Sequence, residues 1–187
     1  MIRKILGIIA AICICIQPCC AIYDAEVDYM DLMIQCAAVG DWEMGQYAQF
    51  GRDAKIDAEG IDAKKISYED LYLLGKIIYA EAGSSWLSDE WKMSVGEVVL
   101  NRVESPLFPS TVAEVIYQSG QYYGSDTQWF YEMDPDRRCI LLALRLLEGE
   151  RVLQNSEVLF QANFRQGSGV HTAMYDGVLG WTYFCFV

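Results

Sequence analysis

The sequence predicts an α+β fold, in which a mostly helical domain with a small C-terminal β-hairpin is preceded by a helical hairpin. Between residues 26 and 149, apolar residues recur at helical spacing, in stretches bounded by capping residues, glycine and proline. The end of the chain instead has two short runs rich in aromatic and β-branched side chains, EVLFQANF and GWTYFCFV. The chain has 187 residues, of which 53% are hydrophobic, which is enough for one domain with its own core.

The first stretch, MIRKILGIIAAICICIQPCCA, has the features of a secretory signal peptide. Arg3 and Lys4 form a basic start, and the apolar run 6–16 is too short to span a bilayer. We predict that residues 1–21 are removed after Ala21, that the protein is secreted to the cell wall, and that it is not stably inserted in a membrane afterwards. A retained membrane anchor is the alternative interpretation.

Charge and composition exclude several classes of function. The formal net charge is −12, and loss of the two basic residues in the leader makes it −14. Such a chain is repelled by nucleic acid and by anionic membranes, so any binding of an anionic wall polymer must be local. The predicted mature chain keeps Cys36, Cys139, Cys185 and the single His171, too few ligands for a zinc site, and it has no glycine-rich phosphate loop. We therefore predict no metal and no cofactor.

The region before residue 67 is predicted to be a helical hairpin and a linker. Apolar residues at helical spacing fill residues 26–57, with a break at the Gly-Asp pair near residue 40, and residues 58–66 form the linker. This gives an N-terminal region of residues 22–66 and a main domain of residues 67–187.

The main domain begins with a well-marked helix. Ser67 and Asp70 form a capping box, and Gly83 ends the helix. Ile77 and Ile78 belong to its apolar stripe, and Glu81 lies three and four residues further on, so it is predicted to lie on the same buried stripe.

A carboxylate on such a stripe has two explanations. In the structural one, Arg102 or Lys92 of the next helix pairs with Glu81. In the functional one, the helix end opens into a cleft, where desolvation raises the pKa of Glu81 and its protonated form donates a proton. No second acid is predicted to share this apolar setting.

Three further helices follow in the prediction. One begins at Ser88 and ends before Pro106, and a short one is capped by Ser110 or Thr111. The third is capped by Asp134, opened by Pro135 and stopped by Gly149.

The loop before this last helix is dense in aromatic side chains around Gln121, and amides occur beside apolar runs elsewhere. Aromatic faces and amides together are typical of a sugar-binding groove, although aromatic residues more often pack in cores. The residues concerned are Gln121, Tyr122, Tyr123, Trp129, Phe130, Tyr131, Asn101 and Asn163.

Several ordered segments resemble one family. The stretches IIYAEAGSSW, VGEVVLNRVESPLFPSTVAEVIYQSGQYY and GWTYFCF resemble the SleB-type cell wall hydrolases, which include spore-cortex-lytic enzymes, over residues 68–187. That family usually has Arg-Gly-Glu-Pro after the Glu-Ala pair, whereas this chain has the longer GSSWLSDEW, a difference that bears on substrate preference.

The resemblance implies a lysozyme-like fold and lytic transglycosylation of peptidoglycan, between N-acetylmuramic acid and N-acetylglucosamine. It implies that Glu81 is the catalytic acid. It also implies that Gln121, with Tyr122 beside it, is a cleft residue that either positions substrate or orients Glu81. The amide of Asn163 is a further predicted substrate-binding group. In the family pattern Asn101 also has a counterpart, but within a packed helix a structural hydrogen bond is its better interpretation.

Two rival functions remain at this point. A non-catalytic cell-wall-binding protein would keep the aromatic groove and not need Glu81. A thiol peptidase or amidase would use Cys139 or Cys185 with His171, but both cysteines lie in apolar segments and are predicted to be core residues.

Overall fold

The structure, a computed structural model, describes residues 27–122 and 124–187. The predicted signal peptide lies outside the described residues, as does Tyr123. The helices are α1 (Tyr29–Ala37), α2 (Trp42–Glu59), α3 (Tyr68–Ala82), α4 (Asp89–Glu104), α5 (Val112–Ile116), α6 (Gln128–Glu132) and α7 (Arg137–Leu147), and the strands are β1 (Val158–Ala162), β2 (Gly169–Asp176) and β3 (Gly180–Phe186). The predicted α+β class is confirmed. Among the described residues, no helix is long and apolar enough to cross a membrane.

The predicted helical hairpin is present as α1 and α2. Asp41 caps α2 by accepting from Met44 N, and the hairpin docks on the start of α3 through Tyr68. The Tyr68 hydroxyl donates to the Asp41 carbonyl at 3.0 Å, and its ring lies where a Cβ on Gly45 would be. Only glycine permits this close approach, so the hairpin shares a buried core with the main domain.

Capping residues set the helix starts mostly as the sequence predicts. Ser67 Oγ accepts from Asp70 N at 3.3 Å, Ser88 Oγ accepts from Trp91 N at 3.2 Å, and Thr111 caps α5. The prediction for α7 is wrong by two residues. Its cap is Asp136, which accepts from Cys139 N at 2.7 Å, because the buried Pro135 precedes the cap instead of opening the helix.

Helices α3, α4 and α7 form the centre of the main core. A Cβ on Gly96 of α4 would meet the side chains of Ile78 and Leu146, so the small residue lets the three helices approach closely, as the sequence suggests. The buried residues of these helices include Leu71, Leu74, Ile77, Ile78, Met93, Val99, Ile140, Ala143 and Leu146.

The C-terminal sheet has three strands in the order β1-β3-β2, all antiparallel. The predicted pairing of the two end runs is confirmed as β1 with β3. The segment between the two end runs contains β2, so the sheet has one strand more than the predicted hairpin. Val170, Thr172 and Tyr175 favour a strand, and the flanking glycines obscured this preference.

The sheet docks on α4 by packing and by polar contacts. Phe184 and Val158 form a second buried cluster with Trp91, Val95 and Val98 of that helix. At the helix end, Asn101 Nδ2 donates to the Val158 carbonyl at 3.0 Å, and Arg102 Nε donates to the Leu159 carbonyl at 2.7 Å. The structural role expected for Asn101 is therefore confirmed.

Candidate active site

Glu81 lies in the last turn of α3, where the helix leaves the core. Ile77 and Ile78 are fully buried, as the stripe predicts, but the Glu81 side chain is exposed to solvent. The prediction that it lies on the buried stripe is therefore wrong for the side chain itself. A position that is covered in mid-helix opens to solvent here, because the helix ends one residue later.

Neighbouring groups fix the backbone around Glu81. Lys92, completely buried in α4, donates its ammonium group to the Ala82 carbonyl at the end of α3. Arg138 of α7 donates to the carbonyls of Ser85 and Leu87, at 2.8 and 2.9 Å, in the loop that follows. These contacts hold the end of α3 and the α3–α4 loop against two other helices.

The carboxyl of Glu81 is desolvated although solvent reaches it. Burial raises its pKa above the usual range, and this rise is opposed first by the Gln161 amide and then by the positive charge of Arg102. Gln161 Nε2 lies 3.5 Å from Glu81 Oε2, a long contact. Solvent reaches the Glu81 side chain although protein lies close around it. This combination is typical of a residue in the wall of an open cleft.

The ion pairs considered from the sequence do not form. Among the described residues, Glu81 has no salt bridge, since Lys92 is used by the Ala82 carbonyl and Arg102 by the Leu159 carbonyl. The structural alternative, an ion pair of Glu81 with Lys92 or Arg102, is therefore not found among the described residues, and the catalytic role of Glu81 stays a prediction.

Arg102 and Tyr122 are buried side chains close to Glu81. Arg102 is 3% exposed and Tyr122 is 5% exposed, and the guanidinium lies 5.1 Å from the Tyr122 ring centre. Burial raises the pKa of Tyr122 to about 12, with the Arg102 charge opposing the rise and the Glu81 charge adding to it. Within the described structure, Arg102 Nη1 and the Tyr122 hydroxyl have no hydrogen-bond partner. Buried polar atoms without a partner are uncommon, and these two lie beside the candidate acid.

The predicted site residues are brought together only in part. Tyr122 is close enough to Glu81 for the Glu81 charge to raise the pKa of the Tyr122 hydroxyl. Gln121 is half-buried, and Asn163 is exposed directly after β1. Neither has a recorded contact with Glu81, so their roles in substrate binding stay predictions.

The rest of the aromatic loop lies beside an earlier part of α3. Lys76 donates to the Tyr131 carbonyl at 2.9 Å, and its ammonium is 5.2 Å from the Phe130 ring centre. Trp129 is exposed on the same short helix. Lys76 precedes Glu81 by five residues, which is about 7 Å along the helix axis. Of the described residues in this loop, Tyr122 is the one with a recorded interaction with the candidate acid.

Sequence reasoning missed Gln161 and the buried Glu97. The signal for Gln161 was its amide inside the apolar run EVLFQANF, most of which forms β1. Glu97 of α4 is 1% exposed, which contradicts the expectation that no second acid shares an apolar setting. Its carboxylate accepts from the backbone N–H groups of Val152, Leu153 and Gln154 at 2.6, 2.9 and 3.1 Å.

The thiol-enzyme hypothesis is contradicted by burial. Cys139 and Cys185 are both fully buried, and burial raises the pKa of Cys139 to about 12, whereas a nucleophilic thiol needs a lowered pKa. His171 is exposed on β2, and its Nε2 lies 3.0 Å from the Leu153 carbonyl. No cluster of three metal-binding side chains occurs among residues 27–122 and 124–187.

Comparison with known proteins gives one match. Residues 88–175 match the model of the family described as Cell Wall Hydrolase, a segment from the cap of α4 to β2 that includes Arg102, Tyr122 and Gln161. Glu81 lies seven residues before the matched segment. No curated protein and no solved structure matches the chain. The match supports a peptidoglycan hydrolase, an enzyme that acts on the cell wall.

Proposed function

We propose that this chain, whose residues 88–175 are of the cell wall hydrolase type, is a secreted lytic transglycosylase that cleaves peptidoglycan between N-acetylmuramic acid and N-acetylglucosamine. The observation that carries the proposal is the state of Glu81. It is solvent-reachable, desolvated, and without an ion-pair partner among the described residues. A carboxyl with a raised pKa keeps its proton at a pH where an ordinary glutamate has lost it, and so acts as a general acid.

In the proposed reaction, Glu81 donates its proton to the glycosidic oxygen as the bond to C1 of the muramic acid residue breaks. The C6 hydroxyl of the same sugar then attacks C1, and the ionised Glu81 accepts the hydroxyl proton. The product ends in a 1,6-anhydro ring, and the acid is regenerated. Because the nucleophile is part of the substrate, the reaction needs one carboxyl and not the pair that most glycosidases use.

The buried carboxyl of Glu97 supports a mechanism with a single catalytic acid. Three backbone N–H groups already engage the Glu97 oxygens, and its side chain is almost completely covered. It is therefore unable to activate a water molecule on the opposite side of a sugar. The charge of Arg102 opposes the rise in the Glu81 pKa. In the proposed reaction, Arg102 therefore stabilises the Glu81 carboxylate after the first proton transfer.

Substrate binding is proposed for Tyr122, Gln121 and Asn163. Tyr122 lies against Arg102, with a hydroxyl that lacks a partner in the described structure. Secretion with removal of residues 1–21 also remains a proposal, which N-terminal sequencing of the exported protein tests through a start at Ile22.

The test of the reaction is digestion of purified peptidoglycan followed by mass spectrometry of the fragments. We expect fragments ending in anhydro-muramic acid from the wild type and none from Glu81→Gln. Glu90→Gln is the matched control, because Glu90 is an exposed glutamate in the first turn of α4. Reducing muramic ends would show hydrolysis and contradict the transglycosylase proposal. Binding of peptidoglycan without any cleavage by the wild type would favour the wall-binding alternative.

A further inference from the structure

An exposed row of aromatic rings covers one face of the sheet at the end where β2 and β3 meet. Tyr175 and Trp181 are paired directly across the two strands, with ring centres 5.0 Å apart. Trp181 stacks on Tyr183, two residues further along β3, at 5.9 Å and an interplanar angle of 22°. Cross-strand partners and residues two apart share one face of a sheet, so the three rings form a continuous row.

Two of the three rings are open to solvent. Tyr175 is 62% exposed and Trp181 is 48% exposed, and Tyr183 is half-buried. Phe184, on the other face of β3, is fully buried and packs against α4. Packing against α4 explains why the buried face of the sheet is apolar. It does not explain the exposed aromatic rings on the other face. Clustered exposed aromatic residues commonly mark binding surfaces.

Trp86 is a further exposed ring, and it links the row to the candidate active site. Trp86, 61% exposed, lies in the α3–α4 loop five residues after Glu81. The pKa of Asp176, at the β2–β3 turn, is lowered mainly by the N–H groups of Leu179 and Val178, with a smaller contribution from the Trp86 side chain. The loop that follows the candidate acid thus lies near the end of the aromatic row.

A positive charge accompanies the rings. The Arg165 guanidinium lies 5.6 Å from the ring centre of Tyr183, and in the described part of the chain it has no carboxylate partner. In a chain with a net charge of −12, this is a local cation at an otherwise apolar surface. Guanidinium groups bind carboxylates through paired hydrogen bonds.

We propose that Trp86, Tyr175, Trp181 and Tyr183, with Arg165, form a glycan-binding surface that holds a peptidoglycan strand outside the site of cleavage. Pyranose rings present flat faces of C–H groups that pack on aromatic rings, and the stem peptides of peptidoglycan carry carboxylates for Arg165. An anionic lipid surface fits less well, because the whole chain is acidic. The proposal rests on the proposed function for the identity of the polymer, but not on Glu81.

The experiment measures binding and cleavage separately. Binding to purified peptidoglycan sacculi is measured in the Glu81→Gln background, so that digestion does not release the protein. There, Trp181→Ala is expected to weaken binding about five- to tenfold, and Tyr175→Ala, at a more exposed position, is expected to weaken it in the same direction. Trp181→Phe retains a ring and should restore most of the binding.

Tyr47→Ala is the matched control, because Tyr47 is 58% exposed on α2, outside the row. It is expected to leave binding unchanged. Arg165→Gln should weaken binding and reduce its dependence on salt. Melting temperatures of all variants identify any that are misfolded, in which case Tyr175→Ala alone decides.

With Glu81 present, Trp181→Ala should slow cleavage of intact sacculi and leave cleavage of a soluble tetrasaccharide fragment unchanged. Equal binding by wild type, Trp181→Ala and Tyr175→Ala would overturn the inference while leaving the proposed reaction intact. Sacculus binding that depends on Trp181 in a protein that never cleaves would support the inference and overturn the proposed reaction. Equal loss with Tyr47→Ala, or Trp181-dependent binding to anionic lipid vesicles instead of sacculi, would also overturn the inference.

Discussion

Glu97 and Glu81 lie on neighbouring helices, but the fold gives their carboxyl groups different surroundings. Glu97 is almost fully covered, and three backbone N–H groups donate to its oxygens at 2.6–3.1 Å. Glu81 is reached by solvent, yet its one recorded hydrogen-bond partner is the Gln161 amide at 3.5 Å, and burial raises its pKa. The more deeply buried carboxyl is therefore the better satisfied one.

The comparison teaches that depth alone does not identify a catalytic acid. Glu97 joins α4 to the segment before β1, so its hydrogen bonds stabilise the fold. Glu81 is surrounded by protein but poorly supplied with hydrogen-bond donors, a combination that costs stability and favours the protonated form. Four changes test this distinction, from the largest expected effect to the smallest.

The largest effect is expected for activity in Glu81→Gln. The amide keeps the size of the side chain but cannot deliver a proton, and general acid–base catalysis contributes about 10²–10⁴-fold, so cleavage of peptidoglycan should slow by at least that order. The melting temperature should hold or rise, because neutralising Glu81 removes a burial cost. A less stable variant with full activity per folded molecule would return Glu81 to a structural role.

Glu97→Gln should show the reverse pattern. An amide NH₂ group cannot accept from the N–H groups of residues 152–154, so we expect a loss of about 2–4 kcal/mol in the free energy of unfolding. Cleavage per folded molecule should be unchanged. Chemical denaturation and a rate assay on the same preparation measure both, with the exposed Glu157→Gln as control. A stable but inactive Glu97→Gln would make Glu97 the second catalytic carboxyl.

Gly45→Ala tests whether instability by itself lowers activity. The new methyl group would overlap the Tyr68 ring at the base of the hairpin, and overpacking of this kind costs about 1–3 kcal/mol. The rate per folded molecule should stay at the wild-type value, whereas Gly177→Ala, at an open position, should change neither quantity. A large loss of rate in Gly45→Ala would show that activity responds to stability alone and would weaken the interpretation of Glu81.

The smallest effect is a shift along the pH axis. Cleavage should decline as pH rises through the raised pKa of Glu81, because only the protonated form donates. The folded chain holds this proton more tightly than the unfolded chain, so Glu81 contributes stability below the ordinary glutamate pKa and loses it as pH rises through the folded value. Arg102→Gln should move the alkaline limb of the pH–rate profile upward, since it removes a charge that favours the carboxylate. An unchanged limb, as expected for Arg137→Gln, would contradict this role of Arg102.

The sequence predicts features that depend on near neighbours. The caps at Ser67 and Ser88, the end of α3 at Gly83 and the hairpin break near residue 40 all follow from contacts within a few residues. Features that depend on distant partners were missed. The donors to Glu97 are 55–57 residues away, and Gln161 is 80 residues from Glu81, so no local pattern reveals either contact. Strand β2 was missed because glycine and polar residues flank its pairing residues.

The position of Glu81 was predicted in part. Helical spacing correctly places Glu81 in line with the buried residues Ile77 and Ile78. Spacing does not show where the helices and strands that cover this stripe end, so the predicted burial of the Glu81 side chain was wrong. The choice between ion pair and cleft depended on the partners that Lys92 and Arg102 find elsewhere, the carbonyls of Ala82 and Leu159.

The hydrogen bonds from Asn101 and Arg102 to β1 also bear on whether a strand of another molecule can pair with β1. β1 is an edge strand, and an edge with free carbonyl groups is a template on which a second chain adds its own strand. Here the carbonyls of Val158 and Leu159 are already used by side chains from α4. Loosening of the end of α4 would uncover this edge, so conditions that loosen that helix should promote aggregation through β1 before the rest of the molecule unfolds.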